Sequence, residues 1–173
     1  NQLEIEPART TRTGNPCPLM LVDSDNFKLL NDTKGHDEGN KYLISVSQVI
    51  LDKLRPTDIL CRYGGDEFAV IMPATYLFDA MQIARRLRDA ITEIPPRLDI
   101  PFSASLGLAE YDPSSGQELG VFVNAADKAL YRAKREGKNT ICHEGKLPKI
   151  GKAASVTQDE KAALLSGKKA KKG

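Results

Sequence analysis

The sequence predicts an α+β domain: a central, mainly antiparallel sheet flanked by helices, in a ferredoxin-like or palm-type arrangement. Three observations predict it. Apolar runs at 59–63 and 68–72 flank Gly64-Gly65, as in a β-hairpin. Stretches of helical period are cut off by Pro56 and by Pro95-Pro96. Strand and helix patterns then alternate as β-α-β-β-α-β-α-β, a β-α-β-β-α-β core plus one further helix and strand.

Each element follows from its residues. Leu19-Met20-Leu21-Val22 is a short apolar run ending at Asp23, suited to a buried strand. Leu43, Val46, Ile50 and Leu54 repeat at helical spacing within 37–54. The hairpin comes next. Ala80, Ala84, Leu87 and Ile91 mark a second helix, and 102–111 a strand. Phe122, Ala126, Ala129 and Ala133 mark a third helix, stopped by Gly137, and 139–143 reads as an edge strand. Upstream of the first strand, Pro7 is expected to interrupt any helix.

At 173 residues there is room for one domain and a tail. With 40% hydrophobic and 28% charged residues, the composition excludes collagenous and wholly disordered classes. Cys17, Cys61 and Cys142 form no CxxC pair, which argues against a disulfide framework or a zinc site and fits a reducing compartment. No apolar stretch is long enough to span a bilayer, and the N-terminus has no signal-peptide layout. The chain opens on Asn1 in what looks like the middle of an element, so a fragment of a longer protein is expected. Net charge is +2, yet residues 145–173 hold eight lysines against Asp159 and Glu160, leaving residues 1–144 acidic. The expected division is a folded unit over 1–144 and a basic, flexible tail over 145–173. Within the tail, Thr157 to Glu160 reads as a capping box opening a short helix that stops at Gly167. The tail suits either an anionic partner or plain solvation, and no function is placed there.

The chemistry concentrates where the first strand ends, at Asp23-Ser24-Asp25, and at the hairpin tip, Gly64-Gly65-Asp66-Glu67. If those strands are neighbours, Asp23 and Asp66 converge on one point, and convergent carboxylates without histidine or cysteine favour Mg²⁺ carried on a nucleotide triphosphate. The alternative is a solvated acidic turn.

Four motifs in order carry a family resemblance: DSDNFKLLNDTKGHDEGN (23–40), RYGGDEF (62–68), SASLGLAEY (103–111) and DKALYRAKREGKN (127–139). Over roughly 17–143 the chain resembles the GGDEF domain of diguanylate cyclases, which condense two GTP into cyclic di-GMP with release of pyrophosphate at the interface of two antiparallel domains. The resemblance implies a homodimer in the cytoplasm, dependent on Mg²⁺ or Mn²⁺, with no nucleic-acid polymer or membrane as partner. It implies metal ligation by Asp23, Asp66 and the Ser24 carbonyl, with Glu67 as a further ligand or as the group that helps deprotonate the attacking 3′-hydroxyl. Asn26, Phe27 and Lys28 would form the phosphate loop, and Lys134 and Lys138 would add positive charge. Asn31 would read the guanine edge. Asn40 stands where the family carries aspartate, and a carboxamide offers one acceptor and one donor in place of two acceptors. That departure implies relaxed selectivity, with ATP accepted beside GTP and some cyclic GMP-AMP formed. Arg55-Pro-Thr-Asp58 matches the family's RxxD site for inhibitory product, with Arg86 as a secondary contact; a structural Arg–Asp turn is the competing reading. A non-catalytic cyclic di-GMP receptor remains an alternative, disfavoured by the intact carboxylates. A nucleic-acid-binding sheet fares worst, with 6% aromatic residues and no tryptophan.

Overall fold

The computed structural model describes residues 2–94, 102–112, 114, 117–145 and 147. Its elements run α1 (Gln2–Thr13), β1 (Pro18–Asp25), α2 (Phe27–Lys34), α3 (His36–Lys53), β2 (Ile59–Arg62), β3 (Glu67–Ile71), α4 (Leu77–Thr92), β4 (Ser103–Glu110), α5 (Leu119–Arg135) and β5 (Ile141–Glu144).

The sheet order is β2-β3-β1-β4-β5, antiparallel except for the parallel β4–β5 pair. β1 lies at its centre and is buried along its whole length, which explains the unbroken apolar run from Leu19 to Val22. Alternation sorts its side chains. Leu19 and Leu21 pack with Phe122, Ala126 and Leu130 of α5. Met20 and Val22 pack on the opposite face with Val46 and Ile50 of α3 and Ala84 and Leu87 of α4. α5 lies close on β4, because a Cβ at Gly107 would meet the backbone of Ala126 and Leu130 at 2.4 and 2.1 Å. No helix among the described residues is long and apolar enough to cross a membrane.

The expected strands and long helices are present with small shifts of boundary. Two differences concern helices. Pro7 does not interrupt α1: it sits inside the helix, buried between half-buried turns, and the chain continues to Thr13. A proline there removes one N–H bond, and docking through the buried Glu6 and Thr10 outweighs that loss. The segment after β1, expected as a loop, is the helix α2, whose first turn begins at Phe27. The predicted short helix at 157–167 and the Pro95-Pro96 stop lie outside the described residues.

Candidate active site

The site is built where β1, the β2–β3 hairpin and the turn after α5 meet. Antiparallel register sets Asp23 opposite Glu67, and the Ser24 N–H donates to the Asp66 carbonyl at 3.2 Å, so strand end and hairpin tip are one unit. The tip is held by its own backbone, with the N–H groups of Tyr63 and Gly64 both donating to the Glu67 carbonyl. Arg62 clamps it from outside, donating to the carbonyls of Gly64 (3.3 Å) and Gly65 (2.6 Å). Gly64 is required by close approach: a Cβ there would stand 2.6 Å from Glu67 Oε2.

A cavity of about 710 Å³ gathers Asp23, Ser24, Asn26, Phe27, Lys28, Asp66, Glu67, Lys134 and Lys138. Asp23 and Asp66, from the end of β1 and the hairpin tip, thus line the same cavity. Asn26 adopts left-handed backbone (φ 64, ψ 12) and caps α2, so the first-turn N–H groups, which have no partner inside a helix, begin at Phe27 and Lys28. Phe27 and Lys28 thus belong to the first turn of a helix rather than to a free loop.

The electrostatics are those of crowded carboxylates. Asp23 is 7% exposed, and its carboxyl is pushed up to about 6, first by burial, then by Asp66 and Glu67, against the opposing pull of Lys134. Lys134 Nζ lies 2.6 Å from Asp23 Oδ2, and the carboxylates hold its ammonium above the ordinary lysine value despite the desolvation that opposes this. Lys138 Nζ donates to Asn26 Oδ1 at 3.1 Å. Asp25 departs from its neighbour: 2% exposed, it accepts from Ser103 Oγ, Ser105 Oγ and the Asn139 N–H. Ser24, between them in sequence, turns its buried hydroxyl toward the Tyr42 phenol, and burial raises that phenol's pKa.

No group of three or more His, Cys, Asp or Glu side chains is gathered closely enough to hold a metal ion among the described residues. The donor set nonetheless fits a hard cation that keeps only one or two carboxylates and takes phosphate oxygens as further ligands. The Lys134 ammonium at Asp23 marks where a positive charge is already welcome.

The two residues expected to read the base, Asn31 and Asn40, lie outside this cavity. Asn40 is exposed and borders a neighbouring recess of about 490 Å³ with Leu43, Ser47, Leu60, Arg62 and Phe68. Asn31 packs its side-chain oxygen, buried and without a partner, against Gly39. Arg55 lies on a third cavity, of about 610 Å³, beside Glu6 and Arg9 of α1. Asp58 Oδ2 accepts from the Arg55 backbone N–H at 2.9 Å, while its Oδ1 is buried without a partner. Arg86 is exposed on α4, and no hydrogen bond or ion pair joins it to Arg55 or Asp58 among the described residues. Sequence reasoning assigned no role to Arg62, which holds the hairpin tip, or to Asp25, which ties the end of β1 to β4 and Asn139. Arg62 stood in a quoted motif without a role.

Known proteins share this fold. The profile of the family described as diguanylate cyclase, GGDEF domain, matches residues 1–140. Diguanylate cyclase DosC of Escherichia coli K12 is 36% identical over 140 residues, covering 79% of this chain and 30% of its own length. The response regulator PleD of Caulobacter vibrioides is 35% identical over 158 residues, covering 88% and 33%. The chain thus spans about a third of the length of these relatives. Among solved structures, diguanylate cyclase SiaD of Pseudomonas aeruginosa, in complex with its activator SiaC, superposes with a TM-score of 0.77 at 34% identity, covering 83% of this chain and 55% of that one. The GGDEF domain of DgcB from Caulobacter crescentus, in complex with c-di-GMP, gives 0.77 at 29% identity over 82% and 85%. With a family profile running through both β1 and the hairpin and on to the end of α5, this chain belongs to the GGDEF domain family of diguanylate cyclases.

Proposed function

We propose that this domain condenses two GTP molecules into cyclic di-GMP with release of pyrophosphate, Mg²⁺ or Mn²⁺ dependent, between two copies of the chain that each present one nucleotide. The observation that carries this reading is the convergence of Asp23, Asp66 and Glu67 opposite the α2 N-terminus and two lysines in a single cavity. Residues 1–144 are the catalytic unit in this reading and 145–173 a tail outside the chemistry. The domain works in the cytoplasm, where its substrate is found.

Asp23, Asp66 and the Ser24 carbonyl would hold the divalent ion, with Glu67 beside them. The ion supplies charge neutralisation on the phosphates and in-line placement. The α2 first turn, at Phe27 and Lys28, donates N–H groups to phosphate oxygens, and Lys138 holds the Asn26 turn from the other side. Lys134, which pairs with Asp23, would add positive charge for phosphate beside it. Glu67, at the hairpin edge, is placed to accept the proton of the incoming 3′-hydroxyl. The released pyrophosphate leaves past the same lysines.

A looser base selectivity rests on Asn40. It lies exposed at the rim of an apolar recess, where its carboxamide can pair with guanine or adenine, so ATP enters beside GTP and some cyclic GMP-AMP forms. Product inhibition acts through Arg55 and Asp58, with Arg86 as a secondary contact, at the cavity that Arg55 shares with α1. Chromatography of products from GTP, ATP and their mixture with Mg²⁺ tests all of this. Cyclic di-GMP from GTP supports the enzyme. Binding of cyclic di-GMP without turnover would instead support a receptor. Identical product mixtures from the native chain and Asn40→Asp would remove the selectivity reading.

A further inference from the structure

Asp25 belongs to the same Asp-Ser-Asp run as Asp23, yet its surroundings give it different work. It is 2% exposed, and both its oxygens are engaged by neutral donors: Oδ1 by Ser105 Oγ at 2.8 Å, Oδ2 by Ser103 Oγ at 2.7 Å and the Asn139 N–H at 3.0 Å. The serines come from β4, whose register sets Ser103 directly opposite Asp25 and Ser105 opposite Asp23. A carboxylate filled in this way has little left to offer a cation.

The third donor matters most. Asn139 closes a run of three residues with positive φ: Gly137 at 117, Lys138 at 63 and Asn139 at 45. Two are not glycine, and such backbone persists only where its surroundings over-determine it. The Lys138 ammonium at the centre of that run reaches Asn26 Oδ1, and Asn26 is itself left-handed at φ 64 and directly follows Asp25. One carboxylate therefore adjoins both strained turns at the phosphate end of the cavity, by covalent succession to Asn26 and by hydrogen bond to Asn139.

We propose that Asp25 is a positioning residue for triphosphate binding: it pins the Gly137–Asn139 turn and so sets the Lys138 ammonium against the α2 N-terminus, without ligating metal. The inference rests on the proposed nucleotide site. Lys138 is the phosphate-facing group through which Asp25 acts.

The test uses the full chain and a fluorescent, non-hydrolysable GTP analogue titrated in Mg²⁺, with melting temperature recorded beside it. Native chain that fails to bind the analogue would overturn the nucleotide reading itself; native chain that binds it isolates the role of Asp25. Asp25→Ala is expected to weaken analogue binding at least tenfold. Asp25→Asn should restore most of it, because the carboxamide oxygen still accepts the Asn139 N–H and a serine hydroxyl can turn to accept from the amide. The Lys138→Ala loss should not multiply with that of Asp25→Ala in the double variant. A metal ligand would behave oppositely, with Asp25→Asn as damaging as Asp25→Ala. That result, unchanged binding in Asp25→Ala, or losses that multiply would overturn the proposal. If Asp25→Ala does not fold, Asp25→Asn and Ser103→Ala decide instead: binding within threefold of native for the former, and a loss not compounded by Lys138→Ala for the latter, uphold it, and any other pattern overturns it.

Discussion

At Asp66 and Asp23 the account turns on single carboxyl groups. Asp66→Asn keeps the hairpin's shape and removes a charge that would face the ion, so turnover should fall at least about a hundredfold, the scale set by several kcal/mol of lost charge stabilisation; a steady-state rate with GTP and Mg²⁺ measures it. Asp23 makes a prediction about stability. Its carboxyl is raised from 3.8 to about 6, chiefly by burial, so its contribution to stability is complete below pH 3.8 and is lost as pH rises through about 6. In chelator, Asp23→Asn should then be more stable than the native chain at pH 8, by about 1–3 kcal/mol, with the gain gone near pH 4. Denaturant melts at the two pH values read the difference, and an equal gain at both would show that burial of this charge is not what is relieved. These two aspartates were legible from sequence because one ends an apolar run and the other follows a glycine pair. Asp25 was not separable from Asp23, since its distinguishing partners lie at Ser103, Ser105 and Asn139.

The hairpin is the element whose shape does the most for the chemistry. Gly64 is in contact with Glu67, so Gly64→Ala must push that carboxylate aside. Because the obstacle is the end of a flexible side chain, the melting temperature should stay within a few degrees while turnover drops about tenfold or more; a loss of both together would place Gly64 in folding instead. The hairpin and the long helices α3, α4 and α5 were legible because each buries a regular apolar face: Val46 and Ile50, Ala84 and Leu87, Phe122 and Ala126. α2 was not, because over eight residues it buries only Leu30 and gives periodicity nothing to show. Pro7 misled for a related reason: local propensity counts against α1, and tertiary contacts at Glu6 and Thr10 decide for it. Lys134 and Lys138, more than a hundred residues from Asp23 and Asn26, were linked to them by family resemblance alone, and the packing of α5 on β4 is the physical link that no local pattern carries.

For the whole molecule, the proposed reaction places one nucleotide on the carboxylate-lined cavity of each chain and joins two in each product, so it requires two copies. Initial rates should therefore rise with nearly the square of protein concentration while dimers are scarce, and become linear once the chain is joined to a dimerising segment that raises its effective concentration. The residue proposed for inhibition lies elsewhere in the molecule: Arg55 lines a cavity shared with α1, apart from the carboxylates. Arg55→Ala should leave the initial rate intact and remove inhibition by added cyclic di-GMP, whereas a purely structural Arg55–Asp58 turn would leave inhibition unchanged. The measurement that bears most directly on the central claim is product formation from GTP by the native chain and by Asp66→Asn, at matched concentration with Mg²⁺ and with chelator. The account predicts cyclic di-GMP and pyrophosphate from the native chain with Mg²⁺ alone. Equal product from Asp66→Asn, or product undiminished by chelator, would contradict it.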